Sequence, residues 1–280
     1  MIYDSQNITI DREGLAFMHG LSNGFLYTAK RIITIWDTTE GIFEVSGTGF
    51  FVQKDDVLYL ITNRHVAELT YSYPEYVGAT LKECRCEGYE NISEDYTPAT
   101  HTSIKIENHG DFVFHSNPNN DIACLKEPKY MKGNSGTITL PISYSLLATK
   151  DILDTKVTVC DSIAYPGFPD WYDRKNNTPI FRMGTIASDP RVGYAVHAGA
   201  PDADVIAYEG FSSSGASGSP VFAIQKGFQT GAGISAPDDF YRPVLLIGIN
   251  AGHFPSKEGH SGISLFYKSS AIIETIESCR

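Results

Sequence analysis

The sequence predicts an all-β protein made of two antiparallel β-barrels and a C-terminal helix. Short segments rich in β-branched and aromatic residues recur along the chain, and glycine, proline, asparagine and aspartate bound them, which is typical of antiparallel barrels. The length of 280 residues, of which 42% are hydrophobic, is sufficient for two compact units without a disulfide or a metal. Helical periodicity occurs mainly at the end of the chain.

The distribution of these segments predicts the domain organisation. We expect residues 1–26 to form an N-terminal extension, residues 27–145 the first barrel, residues 146–268 the second barrel and residues 269–280 the helix. The connection between the barrels is expected near residues 141–154. The strongest strand patterns lie at residues 30–36, 50–52, 57–62, 137–140 and 244–249.

The final helix is predicted from one apolar stripe. Ile272, Ile273 and Ile276 recur at helical spacing. Ser269 or Ser270 precedes them and can cap the N-terminus of the helix through its hydroxyl.

Three separated segments contain the residue types of a hydrolytic triad. They supply His65 as a base, Asp121 as an acid and Ser217 as a nucleophile. A serine hydroxyl attacks an amide carbonyl only when a neighbouring base removes its proton, and the carboxylate orients and stabilises the histidine ring. The chain order histidine, aspartate, serine is one of three known for such triads, and it favours the two-barrel architecture. The segments are LITNRHVA at residues 60–67, NDIACL at residues 120–125 and GASGSPVF at residues 215–222.

The glycines around Ser217 predict an oxyanion hole. In acyl transfer the carbonyl oxygen becomes negatively charged, and each backbone N–H aimed at it contributes roughly 2.7–4 kcal/mol. We expect Gly215 and Ser217 to donate these groups, because Gly215 can adopt backbone angles that turn its N–H inward. Gly218 allows the chain to pass close behind the nucleophile.

Together these segments resemble the motifs of trypsin-like serine proteases, in particular the bacterial HtrA-type proteases and the V8-type glutamyl endopeptidases. The resemblance extends over about residues 27–276. It implies a double barrel of two six-stranded β-barrels, which form one catalytic domain, and a serine endopeptidase that works through an acyl-enzyme without a cofactor. A protein or peptide is the implied substrate. Further matching segments lie at residues 47–52, 157–167, 184–187, 246–252 and 262–266.

The resemblance also implies a substrate pocket beside the nucleophile. Phe211 lies where a trypsin has the acid that pairs with arginine or lysine, so a basic P1 residue is disfavoured and a small or apolar one is expected. Asn250 replaces the pocket histidine of V8-type enzymes, so a preference for glutamate does not follow. His253 offers an alternative, in which the pocket accepts an acidic side chain. The pocket residues are expected to be Phe211, Ser212, Ser214, Asn250, Ala251 and Gly252.

Two other serine motifs are excluded as the nucleophile by their positions. Ser135 follows Asp121 so closely that no second barrel could be built between them. Ser261 resembles the elbow of an α/β-hydrolase, but too little chain follows it to supply an acid and a base. The chosen motif ends with Ser219 where most trypsin-like enzymes have glycine, a variant that resembles the V8-type form.

Composition limits the partners of the protein. The formal net charge of −11 disfavours nucleic acid, whose phosphates would be repelled. No apolar run reaches the ~18 residues of a membrane span, so no membrane partner is expected. The N-terminal residues lack the basic start and apolar core of a signal peptide, which predicts a cytoplasmic protein unless an export signal has been removed. The 5 cysteines lack zinc spacing and predict free thiols with no metal site. An acidic stretch at residues 83–95 is interpreted as a solvated loop, with a calcium site or a partner-docking loop as alternatives.

Two functions from different classes are consistent with these residues. The first is a serine endopeptidase that hydrolyses peptide bonds through His65, Asp121 and Ser217. The alternative is a latent or pseudo-protease module that binds peptides or partners and is activated by assembly. The complete triad favours the first, while the sequence specifies neither the physiological target nor a regulatory partner.

Overall fold

The computed structural model describes residues 8–10, 16–18, 21–90, 100–131, 140–195, 197–227, 241–256 and 259–279. Its strands are β1 (Ile8–Ile10), β2 (Ala16–Met18), β3 (Ala29–Thr38), β4 (Gly41–Lys54), β5 (Val57–Thr62), β6 (Thr80–Glu90), β7 (Thr100–Lys105), β8 (Val113–Phe114), β9 (Ala123–Lys126), β10 (Ile142–Ser143), β11 (Ser162–Gly167), β12 (Ile180–Ile186), β13 (Val205–Glu209), β14 (Pro220–Ala223), β15 (Leu245–Ser256) and β16 (Gly259–Lys268). Its helices are α1 (Asn23–Leu26), α2 (Arg64–Ala67), α3 (Leu69–Ser72), α4 (Lys150–Lys156) and α5 (Ser269–Ser278), with single 3-10 turns at Pro74–Tyr76, His109–Asp111 and Tyr144–Leu146. The protein is therefore all-β with a C-terminal helix, as predicted.

The first unit is an 8-stranded sheet and not the closed six-stranded barrel that was predicted. Its order is β7-β6-β3-β4-β5-β9-β8, and β10 pairs in parallel with β4 at Ile142 and Val52. The pairings of the described residues leave β7 and β8 at opposite ends of this order. β6 pairs with β3 along one edge and with β7 along the other, and the chain that leaves the sheet adds β10 to β4.

The second unit is a closed six-stranded barrel, which confirms the prediction for this half of the chain. Its order is β11-β12-β13-β16-β15-β14, and β11 pairs with both β12 and β14 to close it. Alternate residues of barrel strands point inward, so large side chains fill the interior. Tyr165, Tyr208 and Phe266 belong to one buried cluster with Val221.

A further buried cluster joins the two units to the C-terminal helix. Phe25 contacts Phe222 of β14 edge to face, with ring centroids 5.0 Å apart. Ile272 and Ile276 of α5 lie in the same cluster as residues of β4 and β5, and Ile273 packs against it while only partly buried. The apolar stripe predicted for the helix is confirmed, and α5 contacts both units.

The serine cap predicted for this helix is wrong. Lys268 is the N-cap residue of α5, and it makes no capping hydrogen bond through its side chain. Ser269 Oγ instead donates to Ala148 O at 2.6 Å, and both residues are buried. The hydroxyl therefore attaches the first turn of the helix to the connection between the two units.

Four of the strand predictions are confirmed, because residues 30–36, 50–52, 57–62 and 244–249 lie in or overlap β3, β4, β5 and β15. The prediction for residues 137–140 extends beyond the described residues at 137–139. Leu140 itself has a φ of 69°, in the left-handed region, which is incompatible with a continuing strand.

The acidic stretch differs from the predicted loop as far as residue 90. Glu83 and Glu87 lie on β6, and they form ion pairs with Lys105 and Arg31 across the sheet. Cross-strand pairs of opposite charge stabilise antiparallel sheets, so these carboxylates are part of the strand pairing. Residues 91–95 lie outside the described residues.

A buried ion pair lies at the start of β11. The side chains of Asp161 and Arg242 are 3% and 6% exposed, and Arg242 Nη1 donates to Asp161 Oδ2 at 2.6 Å. Lys226 Nζ donates to Oδ1 at 2.7 Å, and the Thr158 N–H donates to Oδ2 at 3.0 Å. Burial opposes ionisation of Asp161, but the hydrogen bonds from Lys226 and Thr158 and the charge of Arg242 outweigh it and lower the pKa.

Replacing Asp161 by asparagine is expected to lower the free energy of unfolding by about 3–5 kcal/mol at pH ~7, because Arg242 is left buried without a counter-charge. A carboxylate with a lowered folded-state pKa stabilises the fold above its unfolded pKa and loses this contribution as the pH falls through the folded-state pKa. The difference between wild type and Asp161→Asn should therefore shrink below pH ~4. Urea denaturation at pH ~7 and below pH ~4 measures this difference in the free energy of unfolding. The control is Asp56→Asn, at an exposed turn. An equal difference at both pH values would contradict the ion pair.

Candidate active site

His65 and Asp121 are brought together from different elements of the first unit. β5 ends at Thr62 and α2 begins at Arg64, which places His65 in a one-turn helix. The His65 backbone N–H donates to Asp121 Oδ1 at 2.9 Å, and His65 Nδ1 lies 2.5 Å from Asp121 Oδ2. Because a carboxylate only accepts hydrogen bonds, Nδ1 is the donor in this contact, and in the corresponding neutral tautomer the lone pair lies on Nε2. The His65 and Asp121 side chains are 23% and 9% exposed.

The main chain around Asp121 is held from both units. Asn63 Nδ2 donates to Asp121 O at 2.6 Å. Asn120, which is fully buried, donates through Nδ2 to Asp204 Oδ2 at 2.8 Å and accepts at Oδ1 from the Asp204 N–H at 2.8 Å. Sequence reasoning missed all three partners. The available signal was an asparagine close to each of the two residues, two positions before His65 and directly before Asp121.

Ser217 lies in the loop that precedes β14, here called the serine loop (residues 213–219). Gly215 and Gly218 have φ values of +83° and +88°, a region in which side chains are strained. Ser217 Oγ donates to Ala251 O at 3.3 Å, and Ser217 O accepts from the Thr48 N–H at 2.7 Å. The backbone of the loop is thus fixed by the first sheet.

Thr48 of β4 donates two hydrogen bonds from the first sheet to the serine loop. It is fully buried, and its N–H donates to Ser217 O. Its Oγ1 donates to Gly215 O at 2.8 Å and accepts from the Phe168 N–H at 3.0 Å. Its carbonyl accepts from Thr62 Oγ1 at 2.8 Å. Every polar group of this residue therefore has a partner.

Gly47 lies between the serine loop and the helix of His65, and only a residue without a side chain fits there. A Cβ at Gly47 would lie 2.6 Å from Val66 Cγ2 and 3.2 Å from Ser217 O. Val66 follows His65 directly, so the two candidate residues flank the same glycine. The structure brings His65 and Asp121 into direct contact and places Ser217 next to α2. Among the described residues, the Ser217 hydroxyl is hydrogen bonded to the main chain of β15 and not to His65.

Four N–H groups of the serine loop have no protein acceptor within the described ranges, and they belong to Ser213, Ser214, Gly215 and Ser217. Two of them, those of Gly215 and Ser217, are the predicted oxyanion donors. The N–H of Ala216 between these two residues donates to Ser213 O at 3.0 Å, and that of Gly218 donates to Asn250 O at 2.9 Å. The unpaired amide groups of Gly215 and Ser217 can therefore bind an anion.

The amide of Asn250 is fully occupied inside the protein. Tyr208 OH donates to Asn250 Oδ1 at 2.7 Å, while Asn250 Nδ2 donates to Ser212 Oγ and Ala216 O, both at 2.9 Å. Burial raises the pKa of Tyr208 well above its usual range, so the hydroxyl remains a neutral donor. Asn250 and Ser212 are both buried and support the wall of the predicted pocket.

The remaining pocket residues are more exposed. Phe211 is 61% exposed, and its carbonyl accepts from Tyr165 OH at 2.9 Å and Arg182 Nη1 at 2.6 Å. Ser214 is exposed, and its carbonyl accepts from the Asp170 N–H. Ala251 and Gly252 are both half-buried. A Cβ on Gly252 would have no heavy atom within 4 Å apart from those of its chain neighbours.

Ser219 replaces the usual glycine of the motif, and Gly167 makes room for it. Ser219 is fully buried, and a Cβ on Gly167 at the end of β11 would lie 2.2 Å from Ser219 Oγ. The next heavy atom, Thr48 Oγ1, would lie 3.2 Å from that Cβ. The larger residue in the motif is thus matched by the absence of a side chain on the facing strand.

Ser135 lies outside the described residues, while Ser261 lies in β16 with its hydroxyl hydrogen bonded to Ile263. No group of three or more His, Cys, Asp or Glu side chains in these ranges could hold a metal ion. Within the same residues, no helix combines the length and apolar character needed to cross a bilayer.

Residues 47–231 match the model of the trypsin-like peptidase domain. The match covers more than half of the chain, and the chain belongs to this family of peptidases. No curated protein sequence gives a significant match.

Solved structures of an HtrA-type protease share the fold. The structure described as HtrA-type protease AlgW with tripeptide has a TM-score of 0.52 and 18% identity, and covers 91% of this chain and 62% of its own. An AlgW variant with a decapeptide has a TM-score of 0.51 and 16% identity, with coverages of 90% and 63%. The chain thus spans less than two thirds of the length of these proteases.

The contact between Gly167 and Ser219 gives a direct test of how the serine loop is packed. We expect Gly167→Ala to lower the free energy of unfolding by about 1–3 kcal/mol, because the added methyl group overlaps Ser219 Oγ. The double variant Gly167→Ala with Ser219→Gly should recover at least half of this loss, since the overlapping hydroxyl is removed. Denaturation of the four proteins of this double-mutant cycle measures the coupling. Strictly additive effects would show that the two residues do not touch.

Proposed function

We propose that this chain is a serine endopeptidase in which Ser217 attacks the substrate carbonyl and forms an acyl-enzyme. The observation that carries this proposal is the two-point hydrogen bonding of His65 by Asp121, through the backbone N–H and through Nδ1. This contact fixes the ring orientation and the tautomer, so that Nε2 is available as a base. The peptidase family of the chain supports the same reaction class.

The proton path of the proposed reaction follows from this tautomer. Rotation of the Ser217 side chain away from Ala251 O brings its hydroxyl to His65 Nε2, which takes the proton as the bond to the carbonyl carbon forms. The imidazolium is stabilised by Asp121, and it then gives the proton to the leaving amine. Water repeats the sequence to release the acid product and restore the serine.

The N–H groups of Gly215 and Ser217 are proposed to bind the carbonyl oxygen as it becomes negatively charged. Both are held in place before substrate arrives, because Thr48 fixes the carbonyls of the same two residues. Preorganised donors need no reorientation when the charge develops, which is the basis of their contribution to rate.

The proposed substrate is a peptide segment with a small, uncharged P1 residue. The amide of Asn250 is already occupied by Tyr208, Ser212 and Ala216, so it offers no free polar group to a side chain. The Arg182 guanidinium donates a hydrogen bond to the Phe211 carbonyl, and its positive charge beside this wall disfavours lysine and arginine at P1. The related structures contain a tripeptide or a decapeptide, which supports an extended peptide as the ligand.

A fluorophosphonate probe tests the nucleophile. It should label the wild-type chain covalently, because only an activated serine attacks phosphorus at a useful rate. Ser217→Ala should abolish labelling, whereas Ser135→Ala and Ser261→Ala should retain it. Labelling that persists in Ser217→Ala would refute the assignment. A folded wild type without labelling would favour the latent module.

A peptide library randomised at P1 tests the specificity. We expect the highest rates for alanine, valine and similar small residues, and rates lower by at least about tenfold for lysine and arginine, since a single poorly accommodated group costs 1–3 kcal/mol. Dominant cleavage after arginine or lysine would refute the pocket as described. Dominant cleavage after glutamate would instead support a role for His253.

A further inference from the structure

A second buried histidine, His115, lies outside the three triad segments. It directly follows β8, and its side chain is 3% exposed. The ring lies between the C-terminal helix and residues 115–122, here called the Asp121 loop. His115 Nε2 is 3.1 Å from Glu274 Oε2 of α5, and His115 Nδ1 is 3.0 Å from the backbone nitrogen of Asn117. The ring thus joins α5 to the loop that contains Asp121.

The tautomer of His115 follows from these two contacts. A backbone N–H only donates and a carboxylate only accepts, so in the neutral ring Nδ1 accepts from Asn117 and Nε2–H donates to Glu274. A second donor, Asn120 Nδ2, lies 3.4 Å from Nδ1. The Asn117 carbonyl oxygen is 3.3 Å from the same nitrogen, and no hydrogen lies between them in this tautomer. His65 differs, because its Nδ1 is the donor to a carboxylate.

His115 binds the Asp121 loop on both sides of Asp121. Its backbone N–H donates to Ile122 O at 3.2 Å, directly after Asp121. Its ring accepts from the Asn117 N–H. Asn117 O in turn accepts from the Asn120 N–H at 3.1 Å, directly before Asp121. The main chain on each side of the carboxylate is therefore connected to the same buried histidine.

We infer that His115 is a positioning residue, whose Nδ1 holds the Asp121 loop so that the carboxylate meets His65. The inference rests on the proposed function, in which Asp121 orients the base. Without an acceptor at Nδ1, the Asn117 N–H loses its partner and the loop loses its hydrogen bond to the ring. A displacement of ~1 Å at a reacting group costs up to roughly 100-fold in rate. His115 acts through the loop and not on the reacting atoms.

Two substitutions separate the two nitrogens of the ring. In His115→Asn the amide oxygen takes the place of Nδ1 and can accept from the Asn117 N–H, but the side chain is too short to reach Glu274. In His115→Gln the amide nitrogen takes the place of Nε2 and can donate to Glu274, but a methylene group stands where the acceptor was. The first variant retains the positioning contact, whereas the second loses it.

Labelling of the full chain by the fluorophosphonate probe measures the effect on the nucleophile. His115→Gln should label roughly 10–100-fold more slowly than the wild type, because Asp121 is displaced. His115→Asn should label close to the wild-type rate. The control is Glu277→Gln, which should also label at that rate, since Glu277 lies on the same helix with Lys54 and Tyr144 as its partners. An equal loss in both His115 variants, or no loss in either, would overturn the inference.

The nitrogen NMR resonance of His65 Nδ1 gives a readout that needs no activity, because it reports the hydrogen bond to Asp121. It should shift in His115→Gln and stay at the wild-type position in His115→Asn. An unchanged resonance in His115→Gln would overturn the inference.

These two readouts separate the inference from the proposed function. A folded wild type without labelling would refute the proposed function, and the resonance of His65 Nδ1 would then decide the inference alone. Circular dichroism shows whether each variant is folded. If His115→Gln does not fold, His115→Asn decides: labelling at the wild-type rate supports the role of Nδ1, and slow labelling by the folded variant contradicts it.

Discussion

The structure depends on one buried threonine that satisfies all of its hydrogen bonds across the junction of the two units. Thr48 extends from the first sheet, and two of its groups bind the carbonyls of Gly215 and Ser217. A buried polar group left without a partner costs roughly 1–3 kcal/mol, so displacement of the serine loop would carry several such penalties at once. The approach is so close that a Cβ on Gly218 would lie 1.9 Å from Thr48 O.

Buried hydrogen bonds also position Asp121. Asp121 is fixed by Asn63 of the first unit, while its neighbour Asn120 forms two hydrogen bonds with Asp204 of the second. The carboxylate then reaches His65 at two points without further adjustment. Candidate nucleophile, base and acid are thus positioned by buried polar contacts of neighbouring residues, and the apolar cluster beneath them keeps the units docked.

The sequence predicted those features that local composition encodes. β-branched runs predicted the strands β3, β4, β5 and β15. The glycines predicted unusual backbone angles at Gly215 and a close passage of the chain at Gly218, and the triad segments predicted the contact of His65 with Asp121. Features that depend on distant partners were missed. The two-residue strand β10 has no pattern of its own, and Asn120 is 84 residues from Asp204. The hydroxyl of Ser269 was assigned to a local cap because its partner Ala148 lies far away in the chain.

The hydrogen bonds between Asn120 and Asp204 have a consequence for the growing polypeptide. A ribosome releases the N-terminal half of a protein before the C-terminal half exists. The emerging segment with His65 and Asp121 therefore lacks both the Asp204 partner of Asn120 and the proposed nucleophile. Under the proposed function, a product that ends before Ser217 can form no acyl-enzyme.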